Sequence, residues 1–193
     1  MKKQILLRVL LCLTLAVGLL PTMVFASGVT GSGKEDDPYV YEVSTASELS
    51  AAVTAINADT SDSAYYTISL QEDIACSGLS FSKNTTTILG NDHTLVFNHG
   101  DAIHVGSGTA THPVLILGGA QDTLTIEGEK SNDTYFIGVG AINGGTEYGT
   151  LKMCDGVTIT GATGNNYFGG AVTVAEGGKF EMDGGTIKKC GID

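Results

Sequence analysis

Arginine occurs once in this chain of 193 residues, at Arg8. Cysteine is almost as sparse, with Cys12, Cys76, Cys154 and Cys190 spread along the sequence and no C-x-x-C pair among them. That spacing excludes a disulfide framework, and no clustered His/Cys pattern suits zinc. The cysteines read instead as small buried hydrophobes. Positive charge is scarce as well: ten Lys and Arg against 21 Asp and Glu give a formal net charge of −11. Nucleic acid and anionic membrane surfaces are therefore not expected as partners. Long apolar runs are limited to one, from Ile5 to Leu20, shorter than the roughly 20 residues of a bilayer span. Lys2, Lys3 and Arg8 flank it and the small residues around Ala26 follow it, so residues 1–26 read as a secretory signal peptide cleaved after Ala26. What remains has no arginine, is more acidic still, and carries no further membrane span. The expected location is secreted or cell-surface.

Residues 27–38 form a Gly/Ser-rich lead-in that ends in the acidic cluster Glu35-Asp36-Asp37 before Pro38. The cluster lacks the spaced oxygen ligands and loop glycine of an EF-hand and reads as a solvated turn. Alternation around Tyr39 to Val43 predicts an edge strand. Thr45-Ala46-Ser47-Glu48 has the form of a capping box, with Leu49, Ala52, Val53 and Ile56 at helical spacing behind it. One amphipathic helix is expected over 46–57.

Beyond the helix the chain repeats. Thr94-Leu95-Val96-Phe97, Thr123-Leu124-Thr125-Ile126, Thr150-Leu151-Lys152-Met153 and Lys179-Phe180-Glu181-Met182 begin 29, 27 and 29 residues apart. In each, the second and fourth positions are large and apolar while the third varies, so the second and fourth face a core and the third faces water. Ile88, Ile116, Ile142 and Val172 are expected to form a column before this strand, and Val157–Ile159 and Thr186–Ile187 strands after it, with corners at Asp155-Gly156 and Asp183-Gly184.

A coil that advances one strand spacing, roughly 4.8 Å, per turn explains why the same residue class returns at the same position. The expected fold is thus an all-β solenoid, a right-handed parallel β-helix over 39–193 with the helix as its amino-terminal cap. Leu95, Leu124, Leu151 and Phe180 should stack in one buried column and Phe97, Ile126, Met153 and Met182 in another. Lys152 and Glu181 should be neighbours on the outside. Cys154 and Cys190 fall on different corners and should not bond.

"GSGKEDDPYVYEVSTASELSAAVTAIN", "YYTISLQEDIACSGLSF", "TTTILGNDHTLVF" and the later Gly-Gly repeats resemble the start of the pectate-lyase-like β-helix proteins secreted by Gram-positive bacteria, in particular their large adhesin-like surface proteins. The resemblance implies many more turns and a wall-attachment or carbohydrate-binding region downstream, so the chain is expected to be truncated at its carboxyl end. It also implies a scaffold more than a reaction. A pectate lyase of the familiar kind sets a calcium site beside a proton-abstracting arginine, and no arginine follows Arg8.

A hydrolase needs two carboxylates facing each other across roughly 5 to 9.5 Å; Asp155 and Asp183 fall in equivalent corners, but Asp-Gly is what a tight turn selects. His93, His99, His104 and His112 read as solvated, with His104 pointing out from a strand. No cofactor or metal is implied. Two polar loops enter strands through Tyr-Phe, at Asn132 to Phe136 and Gly164 to Phe168. If Phe136 and Phe168 point inward, Tyr135 and Tyr167 point outward one above the other, and with Asp133 and Asn166 form the candidate sugar-binding set. The expected function is a non-catalytic scaffold for adhesion or glycan contact, with polysaccharide or host-surface glycan as partner. The alternative is the opening piece of a polysaccharide lyase or glycoside hydrolase whose active site lies in further turns. Oligomeric state is left open.

Overall fold

The computed structural model describes residues 29–61, 63–98, 102–108, 111–128, 135–142, 144–164 and 170–192. Strand β1 (Tyr39–Val43) leads into helix α1 (Ala46–Ala58), and the chain then cycles through short strands. The cycles are β2 (Tyr65–Leu70), β3 (Ile74–Cys76) and β4 (Leu79–Phe81); β5 (Thr85–Leu89), β6 (Thr94–Phe97) and β7 (Ile103–Val105); β8 (Val114–Leu117), β9 (Leu124–Gly128) and β10 (Ile137–Val139). Two more follow: β11 (Gly149–Met153), β12 (Val157–Thr160), β13 (Thr163–Gly164) and β14 (Val172–Val174), then β15 (Gly178–Met182), β16 (Thr186–Lys188) and β17 (Gly191–Ile192).

Each strand pairs in parallel with its counterpart one cycle away. The result is three sheets, ordered β1-β2-β5-β8-β11-β15, β16-β12-β9-β6-β3 and β14-β10-β7-β4, plus the small β13-β17 pair. This predominantly parallel fold with one helix is compatible with a β-helical solenoid.

The helix forms where the capping box places it. Thr45 accepts a hydrogen bond from the Glu48 backbone N–H, and the Glu48 carboxylate accepts from the Thr45 backbone N–H. Leu49, Ala52, Val53 and Ile56 are buried, against β1 to β4. Amides fasten its carboxyl end. Asn57 Nδ2 donates to Ser80 O at 2.7 Å and its Oδ1 accepts from Ser82 N at 2.9 Å. Asn84, buried and in the left-handed region at φ 60°, donates to Ile56 O and accepts from Ala64 N.

The expected columns point inward but do not form the expected stacks. Leu95 and Leu124 lie in one sheet, Leu151 and Phe180 in another. Leu95 sits beside Ile126, and Leu124 beside Val157. The true columns include Leu115, Leu151 and Phe180; Ile88, Leu117, Met153 and Met182; and Leu95, Ile126, Ile159 and Ile187.

The phrase beginning at Thr150 follows its predecessor by 27 residues, whereas a full turn on that predecessor's sheet, from Leu124 to Val157, takes 33, so the phrase falls one sheet short. Alternation of period two also survives any even shift, so it identifies the inward face without identifying the neighbour. Ile116 faces outward, opposite Thr87 and Lys152, because the turn from β5 to β8 takes 29 residues and sets Leu117 on Ile88; Ile142 lies in a loop and Val172 in the third sheet.

Outward, Lys152 and Glu181 are in register with Nζ and Oε2 3.3 Å apart. Cys76, Cys154 and Cys190 are free thiols. Burial pushes the Cys76 thiol up to about 11. Of the two Asp-Gly corners, Asp155-Gly156 needs its glycine at φ 80°, where a side chain would also collide with Asp122 O. At the other, the left-handed residue is Gly185, one place later than the Asp183-Gly184 pair.

Among the described residues, one buried side-chain polar atom goes unpaired. Thr86 occupies an inward position between Tyr66 and Leu115, is fully buried, and its hydroxyl has no hydrogen-bond partner. Burying a hydroxyl unpaired costs about 1–3 kcal/mol, so the nearly isosteric Thr86→Val should raise unfolding stability by up to that amount. Urea denaturation of the two proteins checks this, an unchanged or lower midpoint counting against it.

Candidate functional site

The outer face of β7 and β10 carries the most elaborate side-chain arrangement among the described residues. His104 projects from β7 between the inward Ile103 and Val105. Its neighbour one turn on is Gly138, which leaves a hollow in the outer surface. Gly140, at φ 84°, turns the chain out of β10, and residues around Ile142 fold back over that hollow.

The returning chain is pinned by an antiparallel bridge in which Ser107 N donates to Tyr148 O at 3.1 Å and Tyr148 N to Ser107 O at 3.0 Å. This sets Glu147 over His104, with Oε2 3.2 Å from Nε2. Nε2 also lies 3.2 Å from Gly140 O. Both partners accept, so Nε2 carries the proton. Gly106 admits the pair, because a Cβ there would stand 2.8 Å from Glu147 Oε2 and 3.0 Å from His104 Nε2.

The exposed Tyr148, next in sequence to Glu147, stacks its ring on His112, centroids 4.7 Å apart and planes 6° from parallel. The chain thus presents a flat aromatic surface at Tyr148 and, from the preceding residue Glu147, a carboxylate–imidazole pair. A sugar ring needs those two features, an apolar face and fixed polar partners.

The residues singled out from sequence fare differently. Asp133, Asn166 and Tyr167 lie outside the described residues, as do Phe168 and His99. Tyr135 is described, and it is not an exposed platform. Its ring lies over Gly138 on the outer side, where a Cβ would meet Cε2 at 2.7 Å, and it is only 7% exposed. It fills the hollow together with Ile142.

Phe136 does turn inward, edge-on to Phe97 at 6.0 Å. His104 points outward as expected but is half-buried and partnered, and His93 sits 3.5 Å from Asp73. Asp155 and Asp183 occupy adjacent corners beside Cys154, whose thiol is raised by burial and then by both carboxylates. Glu147 and Tyr148 escaped sequence reasoning altogether, since their partners are distant in sequence and meet only through the Ser107 bridge.

A second feature is a shallow cleft of about 250 Å³ between the lead-in and the end of α1, bordered by Ser32, Tyr39, Asp59, Ser61 and Ser63. Asp59 closes the helix and accepts from Ser61 N, Ser61 Oγ and the Tyr66 hydroxyl. The Ser61 backbone bond, then the Tyr66 bond, hold its carboxyl below the usual range. Burial, then Asp59 itself, push the Tyr66 hydroxyl well above its usual range. Tyr39 and Tyr41 flank Tyr66 with centroids at 5.4 and 6.3 Å.

No group of three or more His, Cys, Asp or Glu among the described residues is placed to hold a metal ion, and none of their helices is long and apolar enough to cross a membrane. Set against protein-family models, curated proteins and solved structures, the chain matches none.

The Asp59 shift fixes a pH dependence. Its folded pKa is depressed, so its contribution is complete above the unfolded value near 3.8 and is lost as pH falls through the lower folded value. Asp59→Asn should therefore be less stable than the parent at neutral pH, by at most about 1 kcal/mol because the carboxylate is largely solvated. The gap should close in acid below pH 3.8. Thermal melts of both proteins from pH 7 to pH 2 measure it; a gap that widens in acid contradicts the assignment.

Proposed function

We propose that the chain is a secreted or cell-surface scaffold of the pectate-lyase-like kind, a right-handed parallel β-helix capped by α1, and that it contacts glycan without cleaving it. Residues 1–26 serve as its export signal. The observation that carries the glycan reading is the exposed Tyr148–His112 stack, with the Glu147–His104 pair starting at the preceding residue. The ring face supplies apolar contact to sugar C–H groups, and Glu147 accepts from sugar hydroxyls. Excess negative charge directs the surface toward neutral or basic polysaccharide and away from nucleic acid.

A second reading, a polysaccharide-cleaving enzyme, draws support from the same carboxylate–imidazole pair, since a carboxylate that fixes the imidazole proton on one nitrogen leaves the other as a base.

Affinity electrophoresis in gels cast with neutral and amino-sugar polysaccharides tests the first reading. The parent chain should be retarded, and Tyr148→Ala should weaken retention about tenfold, near 1.4 kcal/mol. Equal retention of the two proteins, or none of either, removes the proposed contact. Release of reducing ends or unsaturated sugars from the retained polysaccharide, abolished by Glu147→Gln, would establish the second reading.

A further inference from the structure

The carboxyl end of α1 carries the wrong sign of charge. A helix ends in unpaired carbonyls and attracts cations there, yet the last turn of α1 holds no basic residue and the residue that closes it is Asp59. Lys83 Nζ reaches the Asp59 backbone carbonyl at 3.0 Å, but the groups that hold the carboxylate itself are neutral donors: Ser61 N at 3.0 Å, Ser61 Oγ at 2.7 Å and the Tyr66 hydroxyl. Among the described residues the carboxylate has no ion pair. Its charge is fixed in direction without being neutralised.

That carboxylate borders the cleft of about 250 Å³ between the lead-in and α1, and the walls of the cleft are tied in place. The lead-in is held by Ser32 N and Lys34 N donating to Asp37 O at 3.0 and 3.2 Å, by Val40 N to Thr30 O at 2.9 Å, and by Tyr65 N to Gly33 O at 3.0 Å. Gly33, at φ 77°, lets the Tyr39 ring lie against the backbone, where a Cβ would collide with it. The same ring stands 5.4 Å from that of Tyr66. The lining is thus an oriented carboxylate, an aromatic ring and the hydroxyls of Ser32, Ser61 and Ser63.

Each of these selects a feature of a ligand. The carboxylate at the negative end of a helix calls for a cation that can donate hydrogen bonds, and the ring accepts either that cation or an apolar C–H face. Serine hydroxyls donate and accept, which suits a ligand with several hydroxyls of its own. The volume lies below that of drug-sized ligands and suits one small ring. A bare metal ion would leave ring and hydroxyls unused, and a neutral sugar would strip water from the carboxylate without pairing it. We propose that this cleft binds an amino sugar through its ammonium group, which pairs with Asp59 beside Tyr39 while the serine hydroxyls bond to those of the sugar. The site shares no residue with the Tyr148 face and does not rest on the glycan reading made there.

Chemical-shift titration by NMR tests it, at pH 6, with glucosamine, glucose, N-acetylglucosamine and spermidine as separate probes. Glucosamine should shift the backbone amides of Ser32, Ser61 and Ser63, and the two neutral sugars should bind about tenfold more weakly or less well still. Asp59→Asn should cost about tenfold in glucosamine affinity, with circular dichroism showing that the variant is folded. Tyr148→Ala should cost nothing, which separates this site from the outer face. In the unaltered protein, sodium chloride at about 1 M should weaken binding severalfold by screening the pair. Glucosamine that leaves those amides unmoved overturns the proposal. So does glucose that binds as well, spermidine that binds where glucosamine does not, or a folded Asp59→Asn chain that keeps its affinity.

Discussion

Every inward side chain rests on one from the turn before it, one strand spacing away, and that vertical contact governs the rest of the molecule. A layer consists of a few short strands, and none of them is long enough to be stable alone. Stacking supplies both the backbone partners and the apolar cover, which is why residues such as Leu95, Leu117, Ile126 and Met153 have no exposed surface at all. Loops can grow between strands at little cost so long as the next strand returns to its column, and the 36-residue cycle that carries the outer site is a case in point.

The sequence disclosed the parts of the fold that depend on local chemistry. The helix could be read almost to the residue, because a capping box and four buried positions at helical spacing are both short-range patterns. The inward faces of the strands were equally plain. What alternation cannot carry is the identity of the partner strand, and the Thr94, Thr123, Thr150 and Lys179 phrases look alike while dividing between two sheets. Only the unequal cycle lengths distinguish them, and those are set by corners and loops whose composition says little about their span. Lys152 and Glu181 paired as anticipated because both happen to follow one another in a true column.

The outer site was harder to foresee for a related reason. Its members come from β7, the segment before β8 and the segment before β11, brought together by one backbone bridge at Ser107. Tyr135 illustrates how an orientation can be right and its meaning wrong: it does lie on the outer side, but the absence of a side chain at Gly138 gives it a hollow to fill. An outward residue is exposed only if nothing folds over it, and that is decided by loops beyond the reach of strand periodicity.

Asn84 joins the last carbonyls of the helix to the start of the second turn, and Asn57 joins the helix to the first. These side-chain bonds add to the strand pairing that joins one layer to the next. The amino-terminal layers are thereby riveted into one block, and Asp122 extends the bracing to the third turn by accepting from Gly90 N and Asn91 N, while the layers after it are held mainly by strand pairing and packing. Tension applied between the two ends of the chain would accordingly meet unequal resistance, peeling single layers from the far end and reaching the riveted block last, so that the molecule would lengthen in steps of about one turn of chain.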